Sequence, residues 1–133
     1  MIRCVRLWTG KDGNSDFEEG RIEFGKGGGA DHWTPDQPAT NVSFRETPSG
    51  GDFDWHQDPV PRIVLTLSGT LEFEVKSGRT FTIRPGDVLL AQDNSGTGHK
   101  WRLLDEQPWR RAYVVIPDAG AVPFTANNQG ANA

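Results

Sequence analysis

Residues 55–101 read WHQDPVPRIVLTLSGTLEFEVKSGRTFTIRPGDVLLAQDNSGTGHKW, and this stretch decides the fold. It contains three short apolar or alternating runs, separated by turns at Gly69, Gly78 and a Pro-Gly pair. Short strands joined by tight glycine-bearing turns are typical of an all-β chain that winds into an antiparallel barrel. His56 lies near the start of the stretch and His99 near its end. Because a barrel brings distant residues to its interior, we expect the two imidazoles to face one cavity.

The whole chain has the length and composition of one small β domain. Its 133 residues suit a single core, and 16 glycines and 9 prolines favour short strands over long helices. A net charge of -4 lacks the basic excess of a nucleic-acid-binding protein. The single cysteine, Cys4, cannot form an intramolecular disulfide, so we expect a reducing, cytoplasmic setting. No signal-peptide core precedes the first strand and no apolar run nears the ~20 residues of a membrane span, so we expect no membrane partner.

Alternating residues and turn signals predict nine strands. In chain order they cover residues 2–8, 17–24, 41–47, 61–68, 70–76, 79–84, 88–92, 99–104 and 109–116. The glycine-rich residues 25–30 are expected to form a flexible loop. We expect one domain over residues 1–117, followed by an extended tail over residues 118–133.

The predicted strand over residues 61–68 has two different faces. If Arg62 points into the barrel, Val64 and Thr66 do so too, because side chains alternate along a strand. The residues between them then form an outward apolar stripe of Ile63, Leu65 and Leu67. Such a stripe is normally covered, either by the N-terminal strands or by a second subunit. The prediction is a homodimer.

Two motifs in this part of the chain resemble those of the cupin superfamily. The first cupin motif is G-x5-H-x-H-x3,4-E-x6-G. Gly50, His56 and Gly69 occupy its matching positions, while Asp58 stands at the second His and Arg62 at the Glu.

The second cupin motif, G-x5-P-x-G-x2-H-x3-N, is matched less closely. Gly86 fits its start, and Gln92 and Asn94 replace the Pro and the second Gly. His99 arrives two residues late, and Leu103 takes the Asn position.

The resemblance covers about residues 44–117 and is to small single-domain bacterial cupins of mostly unassigned function. It implies an antiparallel double-stranded β-helix, the jelly-roll barrel of the cupin fold. It also implies a small-molecule enzyme with its ligand in the barrel cavity and one divalent metal ion (Fe, Mn, Zn or Ni), carrying out oxygenase, isomerase or lyase chemistry. The departures from the motifs favour an alternative, a non-catalytic small-ligand-binding or sensing cupin with a degenerate metal site.

A related group of barrel oxygenases also shows an H-x-D pattern with a distant His. Those enzymes use a 2-oxo acid and usually carry an arginine after the second His, near the positions of Arg110 and Arg111. This chain is shorter than those enzymes usually are.

His56, Asp58 and His99 form a candidate metal site. Two imidazoles and one carboxylate make the triad that binds Fe(II), Mn(II) or Zn(II) and leaves positions open. Alternatively, Arg62 pairs with Asp58, and His56 and His99 act without a metal as catalytic acid–base groups. A purely structural role for the histidines is the third possibility. Asp93 either caps its own loop or hydrogen-bonds His99 and sets its tautomer.

The candidate ligand-binding residues surround these histidines. Trp55 and Trp101 flank them in sequence, and Arg62 and Thr66 share the inward face of one strand. A tryptophan wall suits an apolar or aromatic small molecule with one or two polar groups. Arg62 would suit a carboxylate or phenolate on that molecule.

Overall fold

A computed structural model describes residues 1–127 as β-strands and one short 3-10 helix. The first six strands are β1 (Ile2–Thr9), β2 (Ser15–Ile22), β3 (Lys26–Gly28), β4 (Asp31–Trp33), β5 (Asn41–Thr47) and β6 (Asp52–His56). The next six are β7 (Arg62–Ser68), β8 (Leu71–Val75), β9 (Thr80–Ile83), β10 (Val88–Gln92), β11 (His99–Leu103) and β12 (Trp109–Val115). The 3-10 helix (Ala119–Ala121) and β13 (Phe124–Ala126) follow.

The strands form two stacked sheets and a separate hairpin. The larger sheet has the order β13-β2-β1-β10-β7-β12-β5, the smaller one has the order β6-β11-β8-β9, and β3 pairs with β4 alone. The predicted all-β jelly roll is confirmed. Two details differ from the expectation: β1 and β10 run parallel, and the two sheets are hydrogen-bonded as separate units, so they form an open sandwich.

The main core lies between the two sheets because each strand alternates apolar and polar side chains. On β8, Leu71, Phe73 and Val75 are buried, whereas Glu72 and Glu74 between them point out. Apolar residues of the larger sheet pack against them: Val5, Leu7, Val64, Leu89 and Tyr113. This inner layer also positions the candidate site.

A second apolar cluster covers the outer face of the larger sheet. Its buried members are Cys4, Val88, Leu90, Ile116 and Val122. Ile63 and Leu65 pack against them, as does Phe124. The chain itself therefore covers two residues of the predicted outward stripe in part. The third, Leu67, is 59% exposed.

The segment predicted as a tail packs against the larger sheet as far as residue 127. Residues 118–127 turn through the 3-10 helix, and β13 joins the edge of the larger sheet beside β2. Gly20 on β2 permits this, because a Cβ there would lie 2.2 Å from the carbonyl oxygen of Thr125. Apolar side chains in this segment supply the driving force by covering the second cluster. Residues 128–133 lie outside the described residues, and the domain boundary stays a prediction.

Two further segments differ from the sequence-based expectation. The glycine-rich loop over residues 25–30 contains β3 and, with β4, makes an exposed hairpin. Residues 52–56, where no strand is predicted, form β6, and their polar and aromatic side chains alternate. Among the described residues, no helix is long and apolar enough to cross a membrane.

Candidate functional site

A cavity of about 280 Å³ opens between the inner faces of the two sheets. Its polar lining consists of Arg45, His56, Gln57, Asp58, Arg62, His99 and Arg111. Its aromatic lining consists of Phe53, Phe73, Trp101, Trp109 and Tyr113. The volume lies just below the ~300–1,000 Å³ that is usual for ligand pockets, which suits a small molecule.

The two predicted histidines meet in this cavity. Their ring centroids are 4.5 Å apart, and the two residues are partners across β6 and β11. Gly98 makes this approach possible, since its φ is 73° and a Cβ there would lie 1.9 Å from the His56 carbonyl oxygen. A side chain at position 98 would therefore separate the strands at the histidines.

A β-bulge aims His56 at the cavity. The register shifts between His99, which pairs with His56, and Trp101, which pairs with Phe53. One extra residue on β6 thus changes the alternation, as bulges do. Phe53 and His56 both line the cavity as a result, and their rings lie 4.2 Å apart.

A buried carboxylate orients His99. Asp93 Oδ2 lies 2.6 Å from His99 Nδ1 and also accepts a hydrogen bond from the Ser15 hydroxyl at 2.8 Å. The His99 side chain is 2% exposed and that of Asp93 is fully buried. Because a carboxylate can only accept, Nδ1 carries the proton, and Nε2 is left for the cavity.

A backbone carbonyl orients His56 in the same way. His56 Nδ1 lies 2.8 Å from the carbonyl oxygen of Asp54, so Nδ1 donates and Nε2 is free. Burial lowers the pKa of His56, and the nearby His99 lowers it further, whereas the Asp54 carbonyl and the carboxylates of Asp58 and Asp93 act in the opposite direction. The net direction favours a neutral imidazole.

Asp58 is buried beside the histidines and forms an ion pair with Arg62. Arg62 Nη2 donates to Asp58 Oδ1 at 2.6 Å. The contact uses one guanidinium nitrogen, and Arg62 Nε is buried without a hydrogen-bond partner among residues 1–127. A backbone hydrogen bond from Asp58 N to the Asp93 carbonyl, 3.2 Å long, ties this loop to the one that carries Asp93.

The side chains of His56, Asp58 and His99 have the composition and spacing of a metal site. One ligand atom from each lies within 4.8 Å of the others. Ligands ~2.0–2.2 Å from one ion lie at most ~4.4 Å apart, so small side-chain rotations would suffice. Both histidines also have the outer hydrogen-bond acceptors that usually orient metal ligands. The residues fit a divalent ion, and the guanidinium of Arg62 is the group that opposes one.

The remaining predicted ligand-binding residues divide into two groups. Trp101 lines the cavity together with Arg62. Trp55 does not, because the bulge turns it outward, where Lys76 Nζ lies 3.9 Å from its ring centroid. Thr66 does not line the cavity either, since its hydroxyl is buried and accepts a hydrogen bond from Trp109 Nε1 at 3.1 Å. Both residues therefore lie outside the lining of the cavity.

Among the cavity residues that sequence reasoning did not assign to ligand binding are Arg45 and Tyr113, and Arg111 was named only through the resemblance to the 2-oxo acid oxygenases. Arg45 on β5 and Arg111 on β12 are register partners, and Tyr113 lies two residues beyond Arg111 on the same face. Alternation within β12 was a usable signal, because Trp109, Arg111 and Tyr113 are all buried. The pairing of β12 with β5 has no signal in the local sequence.

No protein-family model matches the chain, and no curated protein matches it. Among solved structures, it is similar to a DUF861 family protein of Thermotoga maritima, with 23% identity over 56% of this chain and 77% of that one and a TM-score of 0.47. A conserved Klebsiella pneumoniae protein with a double-stranded β-helix domain is 22% identical over 66% of this chain and 76% of that one, with a TM-score of 0.47. A Cupin 2 conserved barrel domain protein of Salinispora arenicola is 17% identical over 77% of this chain and 79% of that one, with a TM-score of 0.48. The chain thus resembles cupin domains, and the likeness concerns the fold alone.

Proposed function

We propose that the protein is an enzyme that acts on a small organic molecule held in the cavity between the two sheets. In this proposal, His56 and His99 lie beside the reacting atoms, and Asp58 completes a divalent-metal site with them. The observation that carries the proposal is the buried contact between Asp93 and His99. Burying a carboxylate is costly, and a core that needed only packing would hold apolar side chains here. The contact instead keeps one imidazole nitrogen facing the cavity.

Each residue around the proposed reaction centre has a distinct task. Asp93 holds the proton of His99 on Nδ1, which leaves Nε2 as a ligand or proton acceptor. His56 is held in the same tautomer by the Asp54 carbonyl. Phe53 and Trp101 supply apolar walls of the same cavity. A bound divalent ion would supply a Lewis acid or an O₂ site, for oxygenase, isomerase or lyase chemistry.

A second candidate function is a non-catalytic module that binds or senses a small ligand. The ion pair of Arg62 with Asp58 favours it, because that contact occupies one oxygen of the only carboxylate in the candidate site. Two histidines without a free carboxylate make a weaker site for a hard cation.

Metal content separates the two candidates. The protein would be purified without chelator, and its metal content measured before and after dialysis against Mn(II), Fe(II) or Zn(II) under argon. We expect about one ion per chain in the native protein, since the site offers one set of ligands. His99→Ala should lose most of it, and His32→Ala, which changes an exposed histidine of the β3–β4 hairpin, should retain it.

Two results would contradict the proposal. One is equal metal content in native protein and His99→Ala, with both folded by circular dichroism. The other is a native protein that takes up no ion from any of the three dialyses. Mass spectrometry of small-molecule mixtures after incubation then distinguishes catalysis from binding, because an enzyme converts a compound and a binding module returns it unchanged.

A further inference from the structure

Three arginines surround one tyrosine ring in the cavity. The guanidinium carbons of Arg62, Arg45 and Arg111 lie 4.0, 5.0 and 5.5 Å from the ring centroid of Tyr113. Arg62 has the buried Asp58 as its partner. Within residues 1–127, neither of the other two forms an ion pair with an acidic side chain. Two guanidinium groups of the cavity, those of Arg45 and Arg111, therefore have no carboxylate partner within residues 1–127.

Arg111 is the more costly of the two unpaired cations. It is 3% exposed, and its partners are neutral: the Tyr113 hydroxyl at 3.0 Å, Thr47 Oγ1 at 2.8 Å and the Trp109 carbonyl at 3.1 Å. Its guanidinium carbon lies 3.7 Å from the Trp109 ring centroid, a contact that offsets part of the desolvation cost. Its Nη2 makes no hydrogen bond within the part of the chain that the structure describes, and remains a donor for the cavity.

Arg45 adds to this cost. It lies directly opposite Arg111 across β5 and β12, and like charges in that relation destabilise a sheet. Burial lowers the pKa of Arg111, and the charges of Arg45 and Arg62 lower it further, although the Tyr113 hydroxyl opposes the shift. A pair of arginines in this arrangement is stabilised when an anion lies between them.

We propose that the cavity binds a small aromatic monocarboxylic acid, with its carboxylate between Arg45 and Arg111 and its ring against Trp101. The free Nη2 of Arg111 and the forked donors of Arg45 can both reach a planar carboxylate placed between them. The about 280 Å³ of space and the aromatic lining suit a molecule of one ring. This inference rests on the proposed function, since it names the substrate class of the same cavity and places the acid beside the histidines.

Binding of benzoate tests the inference, with benzamide and phenyl phosphate as matched probes. Titrations would be followed by calorimetry at neutral pH and low salt. We expect benzoate to bind at least about tenfold more tightly than benzamide, because hydrogen bonds to a charged carboxylate are stronger than those to a neutral amide. Arg45→Met should weaken benzoate binding by a similar factor. Arg110→Met, which changes the neighbouring exposed arginine that pairs with Glu46, should leave it unchanged.

Three results would overturn the inference: equal affinity for benzoate and benzamide, an Arg45→Met variant that binds benzoate like the native protein, or tighter binding of phenyl phosphate than of benzoate. Arg45 carries the test because it is exposed and its replacement spares the fold, whereas Arg111→Met removes buried hydrogen bonds.

The same titrations in the presence of a chelator separate this inference from the proposed function. Benzoate binding that persists without metal, in a protein that never takes up an ion, supports the arginine site and contradicts the metal enzyme. Benzoate binding that disappears with the metal, or in His99→Ala, overturns the arginine site, because the carboxylate would then bind the ion.

Discussion

Asp93 Oδ2 and His99 Nδ1 lie 2.6 Å apart in the interior of the protein, at the two ends of one loop. The loop leaves β10 after Gln92 and enters β11 at His99, so both side chains return to the inner face of the sandwich. The Ser15 hydroxyl binds the same carboxylate oxygen from β2. The orientation of His99 therefore depends on three strands, and the first prediction follows from it.

Asp93→Asn should lower the affinity for a divalent ion by about 10–100-fold, the usual effect of changing an outer partner of a metal ligand. The neutral amide no longer holds the Nδ1 proton as strongly and makes Nε2 a weaker donor to the ion. Competition titration with a chromogenic chelator measures the change. Asp12→Asn, which alters an exposed turn, is the control. An unchanged affinity in folded Asp93→Asn protein would show that the carboxylate does not act through His99.

Arg62→Glu should strengthen metal binding. The change removes the guanidinium that lies 2.6 Å from Asp58 and places a carboxylate at the position where the cupin motif has one. Arg62→Gln separates the two effects, because it frees Asp58 without adding a ligand. We expect affinity to rise in the order native, Gln, Glu, measured by the same titration. No gain in either variant, with the fold intact, would mean that the cavity is not built around an ion.

Gly98→Ala should disrupt the site more than a turn glycine elsewhere. A Cβ at position 98 would lie 1.9 Å from the His56 carbonyl oxygen, so β6 and β11 must move apart. Gly78→Ala is the matched control, because Gly78 also has a positive φ but nothing lies within 4 Å of its Cβ position. The control should lose only the ~1–2 kcal/mol of backbone strain. Urea unfolding measures stability, and equal losses in the two variants would contradict the close approach at His56.

Phe44→Glu should weaken self-association. Phe44 is 76% exposed on the edge strand β5, and Leu67 is 59% exposed nearby. These two side chains form an exposed apolar patch, whereas Ile63 and Leu65 pack against the second cluster. We predict a homodimer that uses this patch, and light scattering with size exclusion measures its mass. Leu104→Glu changes an exposed leucine outside the patch and should leave the dimer intact. A monomeric native protein at micromolar concentration would refute the prediction.

Cys4 should make stability fall at alkaline pH. Burial raises the pKa of its thiol from 9.0 to about 12, although a backbone hydrogen bond with Leu90 and the charge of Arg3 oppose the shift. The pKa of the thiol is higher in the folded state than in the unfolded chain. Its contribution to stability is therefore complete below the pKa of the unfolded chain and declines as pH rises towards the pKa of the folded protein. The free energy of unfolding should drop by up to ~1.4 kcal/mol per pH unit in this window. Urea unfolding of native protein and Cys4→Ala at about pH 8 and about pH 10.5 checks this. The free energy of unfolding should fall more steeply with pH in the native protein than in Cys4→Ala. Identical slopes in the two proteins would contradict the prediction.

The sequence by itself determined nine of the thirteen strands within residues 1–127 and the class of fold, because both depend on local chemistry. Alternation of side chains places successive residues on opposite faces of a strand, so Val64 and Thr66 are inward as predicted. Glycines at turns such as Gly69 and Gly78 have positive φ, which few other residues adopt. The meeting of His56 and His99 also followed from the strand order implied by the cupin motifs.

Tertiary structure alone decided which other side chains reach the cavity. The bulge on β6 brings both Phe53 and His56 to the cavity and leaves Trp55 outside it, and a bulge depends on the partner strand. Arg45 and Arg111 meet because β5 pairs with β12, and Asp93 reaches His99 because the intervening loop turns inward. Such contacts join residues distant in the chain through register and burial. The alternation of side chains along a strand predicts neither register nor burial, because it repeats every two residues whichever strand lies alongside.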